Sequence, residues 1–129
     1  MRIILQPTHD PYFNIATEEY LLKHSNDDYI ILYRNTPSVI VGKHQNTMAE
    51  LNHSFINSSK IPVIRRLSGG GTVFHDLGNV NFCFMVNGRE GNLVDFKRFT
   101  TPIIEFLKEL GLNAYRGEKN DIRIGNYKV

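Results

Sequence analysis

The sequence predicts an α/β (α+β) domain with a mixed or antiparallel sheet flanked by helices. Three observations support this class. The chain has 129 residues, which is long enough for one domain with its own core. Short apolar runs typical of strands alternate with two longer segments of helical spacing. No repeat, low-complexity tract or internal linker interrupts the pattern, so we expect residues 1–129 to belong to one domain.

Composition excludes several classes of protein. A net charge of +2 is too mild for bulk nucleic-acid binding. No apolar run approaches the ~18 residues that span a bilayer, and MRIILQPTHD does not have the pattern of a secretory signal. We therefore expect neither nucleic acid nor membrane as a partner. The single cysteine, Cys83, excludes an intrachain disulfide and Cys-based zinc clusters, and it favours a reducing cytoplasm.

The elements before the glycine-rich stretch follow from caps and spacing. Asp10 and Pro11 are typical of an N-cap and a first helical residue, and the helix is predicted to run to about His24. The segment 34–37 is expected to join two strands as a hairpin-like link. The residues at helical spacings in this segment are Tyr12, Ile15, Ala16, Glu19, Tyr20 and Leu22. The predicted strands are 2–6, 29–33, 38–42 and 62–66, with a weaker helix over 48–58.

The later elements include the clearest helix. Gly111 stands where a C-cap glycine belongs, and Gly125-Asn126 is a two-residue hairpin signal. Most apolar residues between 80 and 86 are expected in the core, with Cys83 as a buried thiol. The helix stripe comprises Phe96, Phe99, Ile103, Leu107 and Leu110. The predicted strands are 72–75, 79–86, 113–116 and 121–124.

The stretch RRLSGGGTVFHDLGN, residues 65–79, places three glycines beside two arginines. Glycines expose consecutive backbone N–H groups and permit positive φ, so they can wrap an anion. Successive strand residues point to opposite faces, so at most one of Arg65 and Arg66 faces a given site. The hydroxyl of Ser68 or Thr72 would complete a phosphate or carboxylate site. A glycine-rich turn in a strongly bent sheet is the alternative.

Three better-known motifs do not fit. Pro37 occupies the place of the first Walker A glycine before Gly42-Lys43. Phe74 occupies the third glycine position of a dinucleotide fingerprint. Arg66 stands where a nucleophile elbow around Ser68 requires glycine.

Two other segments combine polar and apolar residues. VGKHQN, residues 41–46, either reads the polar edge of a ligand or caps the helix after it. In the predicted hairpin, Arg123 pairs with Lys128, and Asp121 lies diagonally on the same face. That face suits nucleotide phosphates with magnesium on the carboxylate, and a solvated edge hairpin is the alternative.

DPYFNIATEEYL, VGKHQN, RRLSGGGTVFHDLGN and KNDIRIGNYKV occur in this order, and together they resemble the lipoate–protein ligase A family from Asp10 to the last residue. The resemblance implies a catalytic domain related to biotin–protein ligases and class II aminoacyl-tRNA synthetases. It implies that lipoate is activated with ATP to lipoyl-AMP, with release of pyrophosphate. The lipoyl group would then pass to a lysine of acceptor domains, such as those of 2-oxo acid dehydrogenases or the glycine-cleavage H protein.

The resemblance also implies roles for individual residues. Lys128 would contact the reactive acyl-phosphate region, where a cation stabilises developing charge. Asp121 would bind magnesium. An apolar slot for the lipoyl tail is expected among Leu67, Val73 and Phe74. The residues implied to line the lipoyl-adenylate, or to follow along it, are Gly42, Gln45, Asn46, Arg66, Ser68, Gly69, Gly70, Gly71, Thr72, Val73, Phe74, His75, Asn79, Asn120 and Asp121.

The family usually continues after this lysine with Val-Ser-Gly, and the present sequence supplies Val129. We therefore expect residues 1–129 to be the N-terminal portion of a catalytic domain, completed by a second ligase chain or a C-terminal domain. Two alternatives stay open. One is lipoyl or octanoyl transfer without ATP, for which a related branch uses a catalytic cysteine. The other is a non-catalytic lipoate- or adenylate-binding fragment that needs a partner chain.

Overall fold

The computed structural model describes residues 1–88, 95–118 and 121–129. The chain forms two compact units, Met1–Asn87 and Gly88–Val129. Each unit contains helix and sheet, and the first unit mixes parallel and antiparallel strand pairing. The predicted α+β class with mixed sheets is therefore confirmed. The assignment of all 129 residues to one catalytic domain stays a prediction.

The first unit contains two three-stranded sheets. Its elements are β1 (Arg2–Leu5), α1 (Pro11–His24), β2 (Tyr29–Tyr33), β3 (Ser38–Val41), α2 (Thr47–Glu50), α3 (His53–Ser59), β4 (Val63–Arg65), β5 (Val73–His75) and β6 (Asn81–Met85). In one sheet, the central strand β2 pairs parallel with β1 and antiparallel with β6. In the other, the central strand β3 pairs parallel with β4 and antiparallel with β5.

One hydrophobic core joins α1 to both sheets of this unit. Ile31 on β2 and Ile40 on β3 are both fully buried and belong to the same cluster. Burial of a side chain of this size contributes about 1.5–3 kcal/mol. The buried members of the cluster are Ile15, Tyr29, Ile31, Tyr33, Ile40 and Met85.

Helix α1 begins as predicted, because the Asp10 carboxylate accepts hydrogen bonds from the backbone N–H of Tyr12 and Phe13. The helix ends at His24 as predicted, but of the residues noted at helical spacings only Ile15 is buried. The buried residues of the helix are Pro11, Asn14 and Ile15. Asn14 takes a buried position where an apolar residue is expected, because its side-chain amide has hydrogen-bond partners inside the protein. The residues at helical spacings that the structure leaves exposed are Tyr12, Ala16, Tyr20 and Leu22.

The predicted hairpin-like link at 34–37 is also wrong. Strands β2 and β3 do not pair, and they belong to different sheets. The link carries the chain from one sheet to the other, and it is held by the fully buried Asn35. Apolar runs show that both segments are strands, but they do not show which strand lies beside which.

The weak helix predicted over 48–58 is two short helices, α2 and α3. Asn46 caps the first by accepting from Met48 N, and Asn52 caps the second by accepting from Phe55 N. Asparagine side chains compete with the helix for backbone donors, which explains the break near residue 52.

The second unit contains α4 (Phe96–Glu109), β7 (Ala114–Arg116), β8 (Ile122–Ile124) and β9 (Tyr127–Lys128). Gly111 follows the helix with φ of 83°, which confirms the predicted C-terminal glycine. The strands pair antiparallel in the order β7-β8-β9, and Arg123 lies opposite Lys128 as predicted. Among the residues that the structure describes, no helix has both the length and the apolar character needed to cross a bilayer.

Candidate active site

The glycine loop, residues 68–71, takes its shape from Arg66. The Nη2 atom of Arg66 donates to the carbonyl oxygens of Gly69 and Gly71, each at 2.8 Å. Nη1 donates to Ile40 O at 3.2 Å, and Nε donates to Ser68 Oγ at 3.1 Å. Most donors of this guanidinium therefore bind the loop itself, so Arg66 organises the loop more than it offers free N–H groups to a ligand.

Arg65 performs the same task for the neighbouring loop, residues 42–46. Its Nη1 donates to Gly42 O at 2.9 Å and to Gln45 O at 2.8 Å, and its Nη2 donates to Thr47 Oγ1 at 2.6 Å. The two adjacent arginines therefore serve different loops, which agrees with the alternation predicted for a strand.

The two loops touch through bare backbone. A Cβ atom on Gly42 would lie 2.0 Å from Gly70 O, a distance that real structures do not tolerate. Gly70 has φ of 94°, which favours glycine. Lys43 N also donates to Ser68 O at 3.0 Å. Gly42 and Gly70 are thus explained by the packing of one loop on the other.

Gly69 and Gly71 have no such explanation. A Cβ atom at either position would have no other heavy atom of the described residues within 4 Å. Neither residue has positive φ. Exposed glycine backbone of this kind is typical of a place where a ligand comes close to the main chain.

A cavity of about 300 Å³ lies beside the loop, and both Arg66 and Ser68 line it. Of the three residues expected to form the lipoyl slot, Val73 lines this cavity, but Leu67 and Phe74 do not. Phe74 lines a separate cavity of about 330 Å³ together with Thr72, whose buried hydroxyl has no partner among the described residues. The lining of the first cavity comprises Ile15, Glu18, Tyr33, Ile40, Arg66, Ser68, Val73, His75, Val80, Asn81, Phe82 and Cys83.

The expectation of a core position for most apolar residues between 80 and 86 is wrong in part. Met85 is buried, but Val80 and Phe82 are 64% and 41% exposed and line this cavity. Cys83 is half-buried at the edge of the core and also lines it. Strand β6 therefore divides its side chains between the core and the cavity.

This cavity also contains a polar cluster that was not predicted from the sequence. Tyr33 donates its hydroxyl to Glu18 Oε1 at 2.8 Å, and the Cys83 thiol also hydrogen-bonds to Glu18. Burial raises the pKa of Glu18, while these hydrogen bonds and the Arg66 charge oppose that rise. Burial and the Glu18 charge raise the pKa of Cys83 to about 12, so the thiol stays protonated near neutral pH. Glu18 follows Asn14 by four residues, so both lie on one face of the helix. This spacing was the sequence signal that could have indicated the cluster.

His75 lines the same cavity and is only 9% exposed. Its Nδ1 atom lies 3.0 Å from Asn35 Nδ2. Burial and the Arg66 charge lower the pKa of its imidazole. Asp76 is exposed just after β5, and its carboxylate accepts a hydrogen bond from Gly78 N at 2.7 Å, so the two neighbours do not form a catalytic dyad.

Asn46 and Asn79, two more of the predicted residues of this unit, have local structural roles. The side chain of Asn46 caps α2, which was one of the two interpretations of residues 41–46. Gln45 is half-buried. Asn79 closes a turn by accepting from Asp76 N at 2.8 Å and donating to Asn81 Oδ1 at 2.9 Å. Asn81 Nδ2 is buried without a partner among the described residues, so it is an unused donor on a residue that lines the cavity.

In the second unit, Asp121 and Arg123 form an ion pair with Nε and Oδ2 at 2.9 Å. The hydrogen bond from Arg123 lowers the pKa of Asp121, and the Lys128 charge adds to this effect. A Cβ atom on Gly117 would lie 2.3 Å from Asp121 Oδ1, so glycine leaves room for this carboxylate. Both Asp121 and Arg123 line a cavity of about 500 Å³.

Lys128 is exposed on β9, and Asn120 lies outside the described residues. Within the ranges 1–88, 95–118 and 121–129, no cluster of three His, Cys, Asp or Glu side chains is placed to hold a metal ion. Magnesium commonly binds one or two carboxylates together with substrate phosphates, so Asp121 alone fits that mode. Arg123 already engages one of its two carboxylate oxygens.

The chain matches, over residues 10–129, the family model described as the lipoyl protein ligase A/B catalytic domain. It is 45% identical over 122 residues to lipoate–protein ligase 1 of Staphylococcus aureus and 44% identical over 126 residues to LplJ of Bacillus subtilis. These matches cover 93% and 96% of the chain, but only 37% and 38% of the relatives. The chain therefore spans less than half the length of these curated relatives.

Solved structures share the fold. A lipoate–protein ligase A bound with ATP superposes with a TM-score of 0.90 at 27% identity, over 99% of this chain and 58% of that one. LipL1 of P. falciparum in complex with lipoate gives 0.86 at 30% identity, over 99% and 41%. A bi-partite lipoate protein ligase from Thermoplasma acidophilum, studied with its E2 lipoyl domain, gives 0.89 at 28%, over 98% and 52%.

The fold and the motif-bearing loops are those of lipoyl protein ligase catalytic domains. The chain belongs to the lipoyl protein ligase A/B catalytic domain family, which confirms the resemblance found in its motifs.

Proposed function

We propose that the protein activates lipoate with ATP to lipoyl-AMP and then transfers the lipoyl group to a lysine of an acceptor lipoyl domain. The observation that carries this proposal is the open backbone at Gly69 and Gly71 beside a cavity of about 300 Å³. Ligand pockets have volumes from about 300 Å³ upward. Family membership and relatives named lipoate–protein ligases support the choice of ligand.

In this proposal the cavity takes the lipoyl chain and the glycine loop takes the acyl-phosphate. Val80 and Phe82 supply apolar wall, and the amides of Gly69 to Gly71 supply donors to the anhydride oxygens. Arg66 contributes by holding the carbonyl oxygens of the loop, so that the loop is arranged before substrate binds.

The chemistry requires no protein nucleophile. A carboxylate oxygen of lipoate attacks the α-phosphorus of ATP, and the bond to pyrophosphate breaks. The lysine amine of the acceptor then attacks the acyl carbon, and AMP leaves. In our proposal Lys128 stabilises the negative charge that develops in these steps. Magnesium, when bound, would neutralise phosphate charge, with Asp121 as its protein ligand.

The high pKa of Cys83, about 12, argues against a thiolate mechanism at this residue. The alternative of ATP-independent lipoyl or octanoyl transfer therefore gains no support from Cys83. The bi-partite ligase among the structural neighbours favours a second candidate, in which this chain binds lipoate or lipoyl-AMP and needs a partner chain for activity. Acceptors in either case would be lipoyl domains of 2-oxo acid dehydrogenase complexes and the glycine-cleavage H protein, in the cytoplasm.

The test is pyrophosphate release by the intact protein with lipoate and ATP. We expect Lys128→Ala to reduce the rate by about 10²–10³-fold, because one charge-stabilising group is lost. Lys97→Ala, an exposed lysine on α4, is the matched control and should retain the rate. A Lys128→Ala rate close to that of the control would refute the role of Lys128. Lipoyl transfer without any pyrophosphate would favour the ATP-independent alternative.

A further inference from the structure

Three polar side chains from distant parts of the sequence form a buried chain in the first unit. Asn14 on α1 and Asn35 between β2 and β3 are fully buried, and His75 on β5 is nearly so. Asn14 Nδ2 lies 2.9 Å from Asn35 Oδ1, and Asn35 Nδ2 lies 3.0 Å from His75 Nδ1. Buried polar groups of this kind hold one arrangement because every alternative loses hydrogen bonds.

Backbone carbonyl groups determine which side chain donates and which accepts along the buried row Asn14–Asn35–His75. Asn14 Nδ2 lies 3.1 Å from Thr8 O and 3.3 Å from Arg34 O. A carbonyl oxygen can only accept, so the nitrogen end of the Asn14 amide must face these two groups. That nitrogen also faces the Asn35 side chain, which must therefore present its oxygen.

The orientation of the Asn35 amide determines which nitrogen of the His75 imidazole carries the proton. If Asn35 presents its oxygen to Asn14, its nitrogen faces His75 and can only donate. His75 Nδ1 must then accept, and an accepting ring nitrogen carries no proton. The neutral ring therefore carries its proton on Nε2, the nitrogen that the buried chain leaves unused.

The surroundings also favour a neutral ring. Protonation of His75 would place an Nδ1–H group against the donating amide of Asn35. Burial and the Arg66 charge lower the pKa of the imidazole. The other titratable groups lining the cavity are Glu18 on α1, Tyr33 on β2 and Cys83 on β6.

We propose that Asn14 and Asn35 are positioning residues that hold His75 as the Nε2–H tautomer, so that His75 donates a hydrogen bond to an acceptor atom of the acyl substrate in the cavity. The identity of that substrate rests on the proposed function. The assignment of the His75 tautomer does not rest on the proposed function, because the groups that determine it all belong to the protein.

The first test is the ¹⁵N NMR pattern of the His75 ring in the intact protein without substrate, near neutral pH. We expect a protonated Nε2 and an unprotonated Nδ1. The opposite tautomer, or a charged ring, would overturn the proposal. This measurement needs no variant and no lipoate.

The second test uses Asn35→Asp to reverse the direction of the hydrogen bond between residue 35 and His75. A carboxylate can only accept, so it should draw a proton onto His75 Nδ1 and change the ring pattern. The matched control is Asn57→Asp on the exposed side of α3, which should leave the pattern unchanged. An unaltered His75 pattern in folded Asn35→Asp protein would contradict the proposed positioning. If that variant does not fold, the wild-type spectrum and the next comparison still decide.

The third test measures lipoate affinity by calorimetry for His75→Gln and His75→Met. Glutamine can offer an amide N–H near the place of ring Nε2, whereas methionine of similar length cannot. We expect about tenfold weaker binding for His75→Met and a smaller loss for His75→Gln. Wild-type affinity in His75→Met would overturn the donor role. If the wild-type protein shows the expected tautomer but binds no lipoate, the proposed function and the substrate contact fail while the positioning chain stands.

Discussion

At the scale of single residues, identical amino acids in one motif have different physical roles. Gly42 and Gly70 are required by a backbone contact and by a positive φ, respectively. Gly69 and Gly71 face open space and are required by neither. Arg65 and Arg66 similarly organise two different loops. This division makes it possible to separate the stability of the site from its function.

We predict that Gly42→Ala lowers the free energy of unfolding by about 1–3 kcal/mol, because its methyl group would lie 2.0 Å from Gly70 O. Gly69→Ala is the matched variant, and its free energy of unfolding should stay close to the wild-type value. Urea unfolding measures both. Affinity for lipoyl-AMP should fall in Gly69→Ala, because the methyl group occupies the ligand's approach. A stable Gly69→Ala protein that binds lipoyl-AMP normally would refute the role assigned to the open backbone.

At the scale of elements, α1 shows why hydrophobic spacing failed. Its inner face carries Asn14 and Glu18, two polar residues that find buried partners in Asn35 and Tyr33. Its outer face exposes aromatic residues such as Tyr20. A helix that supports a site on its inner face need not follow the apolar pattern of a helix that only covers a core.

This arrangement leads to a pH-dependent prediction for Glu18. Burial raises its pKa above the ordinary value of 4.5, so the folded state binds this proton more tightly than the unfolded state does. The resulting stability is present below the unfolded pKa and is lost as pH rises through the folded pKa. Glu18→Gln should therefore gain stability relative to wild type as the pH rises from about 4 to about 8.

Urea unfolding across that pH range measures the difference. The control is Glu19→Gln, which removes only an exposed pair with Lys23 and should change the free energy of unfolding by about 0.2–0.5 kcal/mol. A difference between Glu18→Gln and wild type that is constant with pH, or that shrinks as pH rises, would contradict the assigned pKa shift.

At the scale of the whole molecule, the first unit depends on one core shared by two sheets. Ile31 on β2 and Ile40 on β3 are fully buried in the same cluster, although the two strands are not paired with each other. The link at 34–37 places the strands in different sheets, and their side chains meet in the core. The cavity and the glycine loop are built on this shared support.

We predict that Ile31→Ala lowers the free energy of unfolding by about 2–5 kcal/mol, because it leaves a cavity in a fully buried site. Ile3→Ala is the matched control on β1, where the side chain is 70% exposed, and it should cost less than about 0.5 kcal/mol. Denaturant unfolding followed by circular dichroism compares them. Equal losses in the two variants would contradict the core described for this unit.

Features that depend on neighbouring residues could be predicted from the sequence. The Asp10 cap, the glycine after α4 and the pairing of Arg123 with Lys128 were all predicted correctly, because each depends on a few residues close together in the chain. The order of the motifs likewise indicated the family. The split of the weak helix at Asn52 was missed although its signal was also local.

Other features depend on residues far apart in the sequence, and only the tertiary structure decided them. The separation of β2 from β3, the buried face of α1 and the cluster of Glu18, Tyr33 and Cys83 all result from contacts between distant segments. The sequence by itself determined the class of elements, their caps and the family to which the chain belongs. The tertiary structure determined which polar groups meet in the cavity, because a hydrogen bond between distant residues depends on where the folded chain places them and not on their spacing along it.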